Sequence, residues 1–209
     1  ILFLDELPEF SRAALETLRQ PLEDREVTVS RVEATVTYPA NFQLVAAMNP
    51  CPCGHFPDLA RCRCTEGQIT RYLQKISGPL LDRIDLCVEA SPVTYGDIRG
   101  GGENEASGAI RARVEQAREI QKERFMEENI RCNGEMAGRH IRKYCVLGKE
   151  EETFMEEIFE KLALSARMHD RILKVARTTA DLAGTSEIRL SDLCEAVSYV
   201  KSREKFWGN

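Results

Sequence analysis

Ile1-Leu2-Phe3-Leu4-Asp5-Glu6 is the stretch on which the reading of this chain turns. Four consecutive apolar residues without alternation fit a strand buried on both faces of a parallel sheet, and two acids follow at its carboxyl edge. One carboxylate there can hold Mg²⁺ while the next polarises an attacking water, the division of labour used in nucleotide hydrolysis. An ordinary strand end with two solvated acids has the same pattern. The run begins without a cap, turn or polar lead-in, so the chain is expected to be a piece of a larger fold.

Outward from this strand, Ser11 can cap a helix whose apolar positions are Ala14, Leu15, Leu18 and Leu22. Residues 27–29 and 34–38 alternate around a polar Ser30-Arg31 tip, which predicts a hairpin. Residues 42–48 form a second buried-strand candidate, stopped by Asn49-Pro50, where the Asn49 amide could orient the same water. A helix is expected over 68–77, broken by Gly78-Pro79, and a third strand over 83–89. The turn formers of 92–108, centred on Gly100-Gly101-Gly102, read as a linker. Beyond it the periodicity is helical: Ile110, Val114, Ala117, Gln121 and Phe125 mark one helix, and Phe154, Ile158 and Leu162 a second. Met168, Ile172, Val175, Thr179 and Leu182 mark a third, and Leu193, Val197 and Val200 a fourth behind the cap candidate Ser191. The expected fold class is α/β plus all-α, with an α/β part over 1–98, a linker over 99–109 and a helical part over 110–209.

The 209 residues are 43% hydrophobic and 30% charged, which excludes disorder as the main state. Twenty-nine basic against 34 acidic side chains give a net charge of −5, so no global basic field draws the chain to nucleic acid or membrane, and any DNA contact must be local. No apolar run approaches the roughly 20 residues needed to span a bilayer, and no basic region followed by an apolar stretch and a cleavage site opens the chain. The expected location is cytoplasmic. Eight cysteines in a cytoplasm suggest metal more than disulfides. Cys51-x-Cys53 and Cys62-x-Cys64, eight residues apart, could close a tetrahedral thiolate site around Zn²⁺, with His55 able to replace one sulfur. Unliganded thiols or a redox pair are the alternatives. Cys87, Cys132, Cys145 and Cys194 read as small core residues, and His140 and His169 lack convergent partners.

The segments LFLDE, MNP and LLDRIDL, in that order, resemble the Walker B, sensor 1 and arginine-finger segments of an AAA+ ATPase of the Mg-chelatase-like branch. The phrases AAMNPCPCG, ISGPLLDRIDL and ILKVARTTADL resemble the ComM-type competence protein family closely. The resemblance implies the second half of an AAA+ P-loop-type core followed by a helical lid. It further implies Asp5 as the Mg²⁺ ligand, Glu6 as catalytic base, Asn49 as sensor 1 and Arg83 as a finger acting on a neighbour's nucleotide. Arg167 falls at the sensor 2 position, with Arg171 a reserve; with Lys174 these repeat at helical spacing opposite the apolar stripe and could bind an anion. The implied cofactors are ATP and Mg²⁺, and the implied assembly is a homo-oligomeric, hexameric ring. The implied activity is a DNA branch-migration helicase in recombination and natural transformation, with the Arg31 hairpin resembling the insert that related motors point into the pore. A solvent-facing polar turn is the plain alternative for that hairpin. The ATPase subunit of a magnesium chelatase and a non-enzymatic zinc-containing interaction module are the rivals. One family element is missing: no G-x-x-x-x-G-K-[ST] occurs, and Gly148-Lys149 lacks both the upstream glycine and the following hydroxyl. These residues alone are therefore expected neither to bind nor to hydrolyse ATP.

Overall fold

The computed structural model of the chain describes residues 1–91, 93, 95–99 and 105–207, so the Gly100-Gly101-Gly102 centre of the expected linker lies outside the described residues. The chain divides into two units, Ile1–Cys87 together with the residues from Arg203 onward, and Val88–Ser202.

In the first unit, β1 (Leu2–Leu4), α1 (Arg12–Thr17), α2 (Arg19–Asp24), β2 (Glu26–Ser30), β3 (Thr35–Pro39) and β4 (Leu44–Ala46) follow in order. β1 and β4 pair in parallel with Leu2, Phe3 and Leu4 opposite Leu44, Val45 and Ala46. β1 is not buried on both faces as expected: Phe3 is 59% exposed and its partner Val45 40% exposed. Among the described residues the sheet has only these two strands, and Phe3 and Val45 share a face that is partly open. The opposite face is anchored, because Leu4 packs on the core of Leu7, Leu15, Ile76, Leu80 and Leu81.

Ser11 caps α1 as expected, its Oγ accepting the Ala14 N–H at 3.2 Å. The single expected helix is split at Leu18, since Pro21 has no N–H to continue the ladder and sits instead in the first turn of α2. The hairpin forms, β2 pairing antiparallel with β3 from Glu26–Pro39 to Ser30–Thr35, and its tip is Arg31 to Ala34, closed by Arg31 N–H to Ala34 carbonyl at 2.9 Å.

Further on, α3 (Glu66–Leu73) starts two residues before the expected helix because Thr65 and Gln68 form a reciprocal capping box. Gly78-Pro79 does not break a helix but begins one: Ser77 caps α4 (Gly78–Leu81), with Pro79 in the first turn where its missing N–H costs nothing. The third expected strand is absent. The Arg83 and Ile84 N–H groups turn back to Leu80 and Leu81 carbonyls, and residues 85–91 carry no regular element.

The second unit is helical: α5 (Tyr95–Arg99), α6 (Ser107–Arg124), α7 (Gly138–Tyr144), α8 (Lys149–Lys161), α9 (Ala166–Leu182) and α10 (Leu190–Trp207), whose last turns from Arg203 belong to the first unit. α5 and the start of α6 occupy part of the expected linker. α10 begins at Leu190, before the expected cap Ser191, because the Asp192 carboxylate accepts the Arg189 N–H at 2.8 Å. The core gathers Phe125, Met136, Ile141, Met155, Ile172, Leu193 and Val197.

A polar network runs through this unit. Asp181, its side chain fully buried, accepts from both Nη groups of Arg124, Nη1 at 2.7 Å, together with Arg177 Nε at 3.1 Å and Asn133 Nδ2 at 2.8 Å. Arg177 also donates to the Ser186 and Thr185 carbonyls, at 2.7 and 2.6 Å. Two helices and a loop are thus held at one charge, and burial draws the Arg177 pKa down.

Candidate functional site

The parallel β1–β4 pairing sets the geometry of the carboxylate edge. Beyond the last pair, the Ala47 N–H donates to Leu4 carbonyl at 2.9 Å and the Leu7 N–H to Ala47 carbonyl at 3.0 Å, so Asp5 and Glu6 bulge between two anchored points. Asp5 Oδ1 accepts the Glu6 N–H at 2.9 Å. Glu6 stands at φ 50° and ψ 49°, a left-handed conformation that costs a β-carbon-bearing residue about 1–3 kcal/mol. Buried Leu7 and Pro8 begin the 3₁₀ turn that holds it there. Both acids are exposed, free to meet a metal or water. Asn49 lies three residues past the end of β4, at the same carboxyl edge. Its side chain is 3.8 Å from where a β-carbon on Gly54 would sit, and Gly54 itself, at φ +80°, needs to be glycine.

Arg83 follows the last turn of α4, not the head of a strand. Its guanidinium pairs with Glu23 on α2 through Nη2 and donates to the Pro79 carbonyl through Nη1 at 2.6 Å. The side chain is 15% exposed, and its Nε is buried without a partner. The acid that takes Arg83 is thus sixty residues earlier in sequence, whereas neighbouring Asp82 pairs with Arg203 at 2.8 Å.

The four loop cysteines converge. Cys51 Sγ lies 3.4 Å from Cys53 and 3.8 Å from Cys62, Cys53 lies 3.6 Å from Cys62, and all four sulfurs fall within 4.8 Å of one another. A tetrahedron of thiolates at the usual Zn–S distance has sulfur–sulfur edges of roughly 3.8 Å, so the donor set and its spacing fit Zn²⁺. Cys51 is fully buried and also accepts the Phe56 N–H at 3.4 Å. The His55 and Arg63 N–H groups pull Cys53 down to about 6. Desolvation, then its contact with Cys53, pushes Cys64 up to about 12. Such a spread arises when several thiols crowd one point and cannot all ionise unaided. His55 is not among the converging ligands.

Arg31 is exposed at the base of the hairpin tip, next to Val32, which is fully exposed. Arg167 is exposed in the first turn of α9, which Ser165 caps. Arg171 is 9% exposed, beside core residue Ile172, so it does not share an open basic face with Arg167 as the spacing suggested. Lys174 reaches the Gly134 carbonyl at 3.3 Å. Cys145 is buried as expected, but Cys194 is exposed, and Cys87 and Cys132 are half-buried.

His140, given no partners above, is buried, with Nδ1 bonded to the Ala137 N–H at 3.0 Å and Nε2 3.5 Å from Glu128. Glu128 is held below the usual carboxylate range by Lys143 and then Tyr144. A Glu128–Lys143 separation of 15 residues across a loop offered no periodic signal by which to find it.

These two units are those of a magnesium chelatase-like protein. The family of magnesium chelatase subunit ChlI matches residues 1–98, and the family of the C-terminal part of the same subunit matches residues 104–200. The chain belongs to this family, in its ComM-type branch. It is 45% identical over 200 residues to Competence protein ComM of Haemophilus influenzae, a match covering 95% of this chain and 38% of ComM. The uncharacterized protein YifB of Escherichia coli K12 is 44% identical over 200 residues, with the same coverage. An uncharacterized protein of Mycobacterium tuberculosis H37Rv is 39% identical over 199 residues, 95% of this chain and 39% of that protein. The chain thus spans less than two fifths of the length of these relatives. Among the described residues, no helix is long and apolar enough to cross a membrane.

Proposed function

We propose that this chain supplies the Walker B, sensor 1, finger and lid parts of an ATP-hydrolysing AAA+ ring motor that acts on branched or single-stranded DNA. The observation that carries the reading is the parallel β1–β4 pair, which brings Asp5, Glu6 and Asn49 to one carboxyl edge. In this reading Asp5 holds Mg²⁺, Glu6 takes the proton of the attacking water and Asn49 orients that water. Arg83 answers the neighbouring subunit's nucleotide in a hexameric ring, and Arg167, with Arg171 behind it, serves the lid side of the site. Arg31 meets DNA phosphates without reading sequence. Eight free thiols suit a reducing cytoplasm. The helical unit acts as the lid, joined to the core through a linker near 99–109. The relative named for competence supports DNA over a metal-insertion partner.

The test uses the full-length protein. Glu6→Gln is expected to retain ATP binding and stop hydrolysis, because an amide fills the position but accepts no proton. Turnover within about twofold of wild type, well under 1 kcal/mol in barrier, would remove Glu6 as the base. ATP-dependent displacement of a DNA strand separates the motor reading from the chelatase one. The 209 residues alone, lacking a backbone cradle for phosphates, are expected to show no micromolar ATP binding in calorimetry.

The four clustered cysteines are further proposed to hold one structural Zn²⁺, which would tie together a loop with little apolar core of its own. Protein purified without added zinc should contain one Zn²⁺ per chain. A metal-free preparation with four readily titrated loop thiols and unchanged melting would exclude it.

A further inference from the structure

We infer that Glu23 is a positioning residue that restrains Arg83, and that hairpin β2–β3 governs the restraint. The inference rests on reading Arg83 as the arginine finger. A guanidinium offers five donors in a planar fork. Here Glu23 takes Nη2, the Pro79 carbonyl takes Nη1 and Nε is buried with no partner. With 15% of the side chain exposed, Arg83 must leave Glu23 to meet a phosphate on another molecule. The unpartnered Nε means that the present arrangement satisfies the fork incompletely, so a better acceptor can displace it.

The path from Glu23 to the hairpin is short. α2 ends at Asp24, and β2 starts at Glu26. Between them Arg25 is left-handed at φ 59°, its N–H bonded to the Pro21 carbonyl at 3.1 Å and its own carbonyl accepting the Ala40 N–H at 2.8 Å. One residue therefore ties the carboxyl end of α2 to both strands at the hairpin base. At the far end, exposed Arg31 offers a cation to a polyanion. A pull on the tip by a nucleic-acid backbone is transmitted through Arg25 to the last turn of α2, which carries Glu23. Loosening the Glu23–Arg83 pair then frees the finger when DNA is engaged.

The test compares Glu23→Ala and Glu23→Gln in the full-length protein, measuring ATP hydrolysis with and without a single-stranded oligonucleotide. Both variants should hydrolyse ATP at least roughly threefold faster than wild type without DNA, a change in kcat more than in KM. The ratio of rates with and without DNA should fall towards one. Adding Arg83→Ala to either variant should bring the rate down to that of Arg83→Ala alone. Two results would overturn the inference while Arg83→Ala still abolishes hydrolysis: an unchanged DNA ratio in both variants, or a lowered basal rate in both at wild-type melting temperature. Wild-type hydrolysis by Arg83→Ala would instead remove the finger reading and the restraint with it. Should Glu23→Ala fail to fold, Glu23→Gln, which keeps the shape and loses the charge, gives the same readings.

Discussion

Replacing Asp181 by alanine removes the carboxylate that accepts from Arg124, Arg177 and Asn133 in the helical unit's polar network. Its side chain is fully buried, and the Arg124 and Arg177 side chains around it are 13% and 3% exposed. Taking away one partner of a buried ion pair costs about 3–5 kcal/mol, because the remaining charge is left without compensation. Arg124 is the better placed to turn towards water, whereas Arg177 stays fixed by the Ser186 and Thr185 carbonyls, which favours the middle of that range. Asp181→Asn should lose a comparable amount, since its amide would point donors at donors. In urea, with a slope of about 1–3 kcal/mol per molar, 4 kcal/mol shifts the midpoint by roughly 1.3–4 M. Far-ultraviolet circular dichroism of the 209-residue chain follows the transition. Asp170→Ala, removing a carboxylate that is 45% exposed and lies 3.2 Å from His169, is the control and should stay within about 0.5 kcal/mol. A loss below about 1 kcal/mol for Asp181→Ala would refute the reasoning, since it would mean that both guanidiniums find water or other acceptors at little cost.

Glu128, held below the usual carboxylate range, gives stability that is present above its unfolded pKa of about 4.3 and lost as pH falls through the lower folded value. Glu128→Gln should therefore flatten that acid limb, and matching acid titrations of the two proteins would dismiss the pairing. Glu6→Gly should raise the first unit's stability by about 1 kcal/mol while hydrolysis in the full-length protein is lost; a lower melting temperature would show that the left-handed turn carries no strain. Ser11→Ala should cost about 1 kcal/mol through the lost α1 cap, read by the same urea titration, and no change would show that water replaces it. Among thiols outside the loop, Cys194 should react rapidly with an aromatic disulfide reagent and Cys145, pushed up to about 11 by burial, only on unfolding; equal rates would contradict the burial described here.

Elements with a local signature were legible in the sequence. The Ser11 cap, the alternation of the hairpin strands and the 3.6-residue stripes of α6, α8 and α9 all appear where periodicity and capping place them. The segment 83–89 misled because its apolar alternation is overridden by the Ser77-capped turn just before it, which spends the Arg83 and Ile84 N–H groups on α4. The acids at the end of β1 were readable, but their backbone was not, because the left-handed Glu6 is imposed by Leu7 and Ala47 meeting across the sheet. Arg83 was singled out by its resemblance to a family motif, while its partner Glu23 was not legible, because a contact across sixty residues leaves no mark on either local pattern. The same holds for Asp181, which reads as a polar position late in a helix and proves to be the anchor for Arg124, 57 residues earlier.

The last turns of α10 set an order on how the polypeptide can be completed. Trp207 donates its indole N–H to the Leu73 carbonyl at 3.1 Å and packs on the first unit's core, 134 residues from its acceptor, and Arg203 reaches Asp82 across 121. A ribosome adding about 5–20 residues per second emits Leu73 roughly 7–27 seconds before Trp207 exists. Throughout that interval Asp82 lacks the guanidinium that will pair with it and one side of the Leu80–Leu81 core stays open, while the intervening helices can emerge and pack. The segment bearing Asp5 and Glu6 is therefore made well before the residues that close its core, so a nascent chain stalled before Arg203 would display that apolar surface to chaperones and proteases.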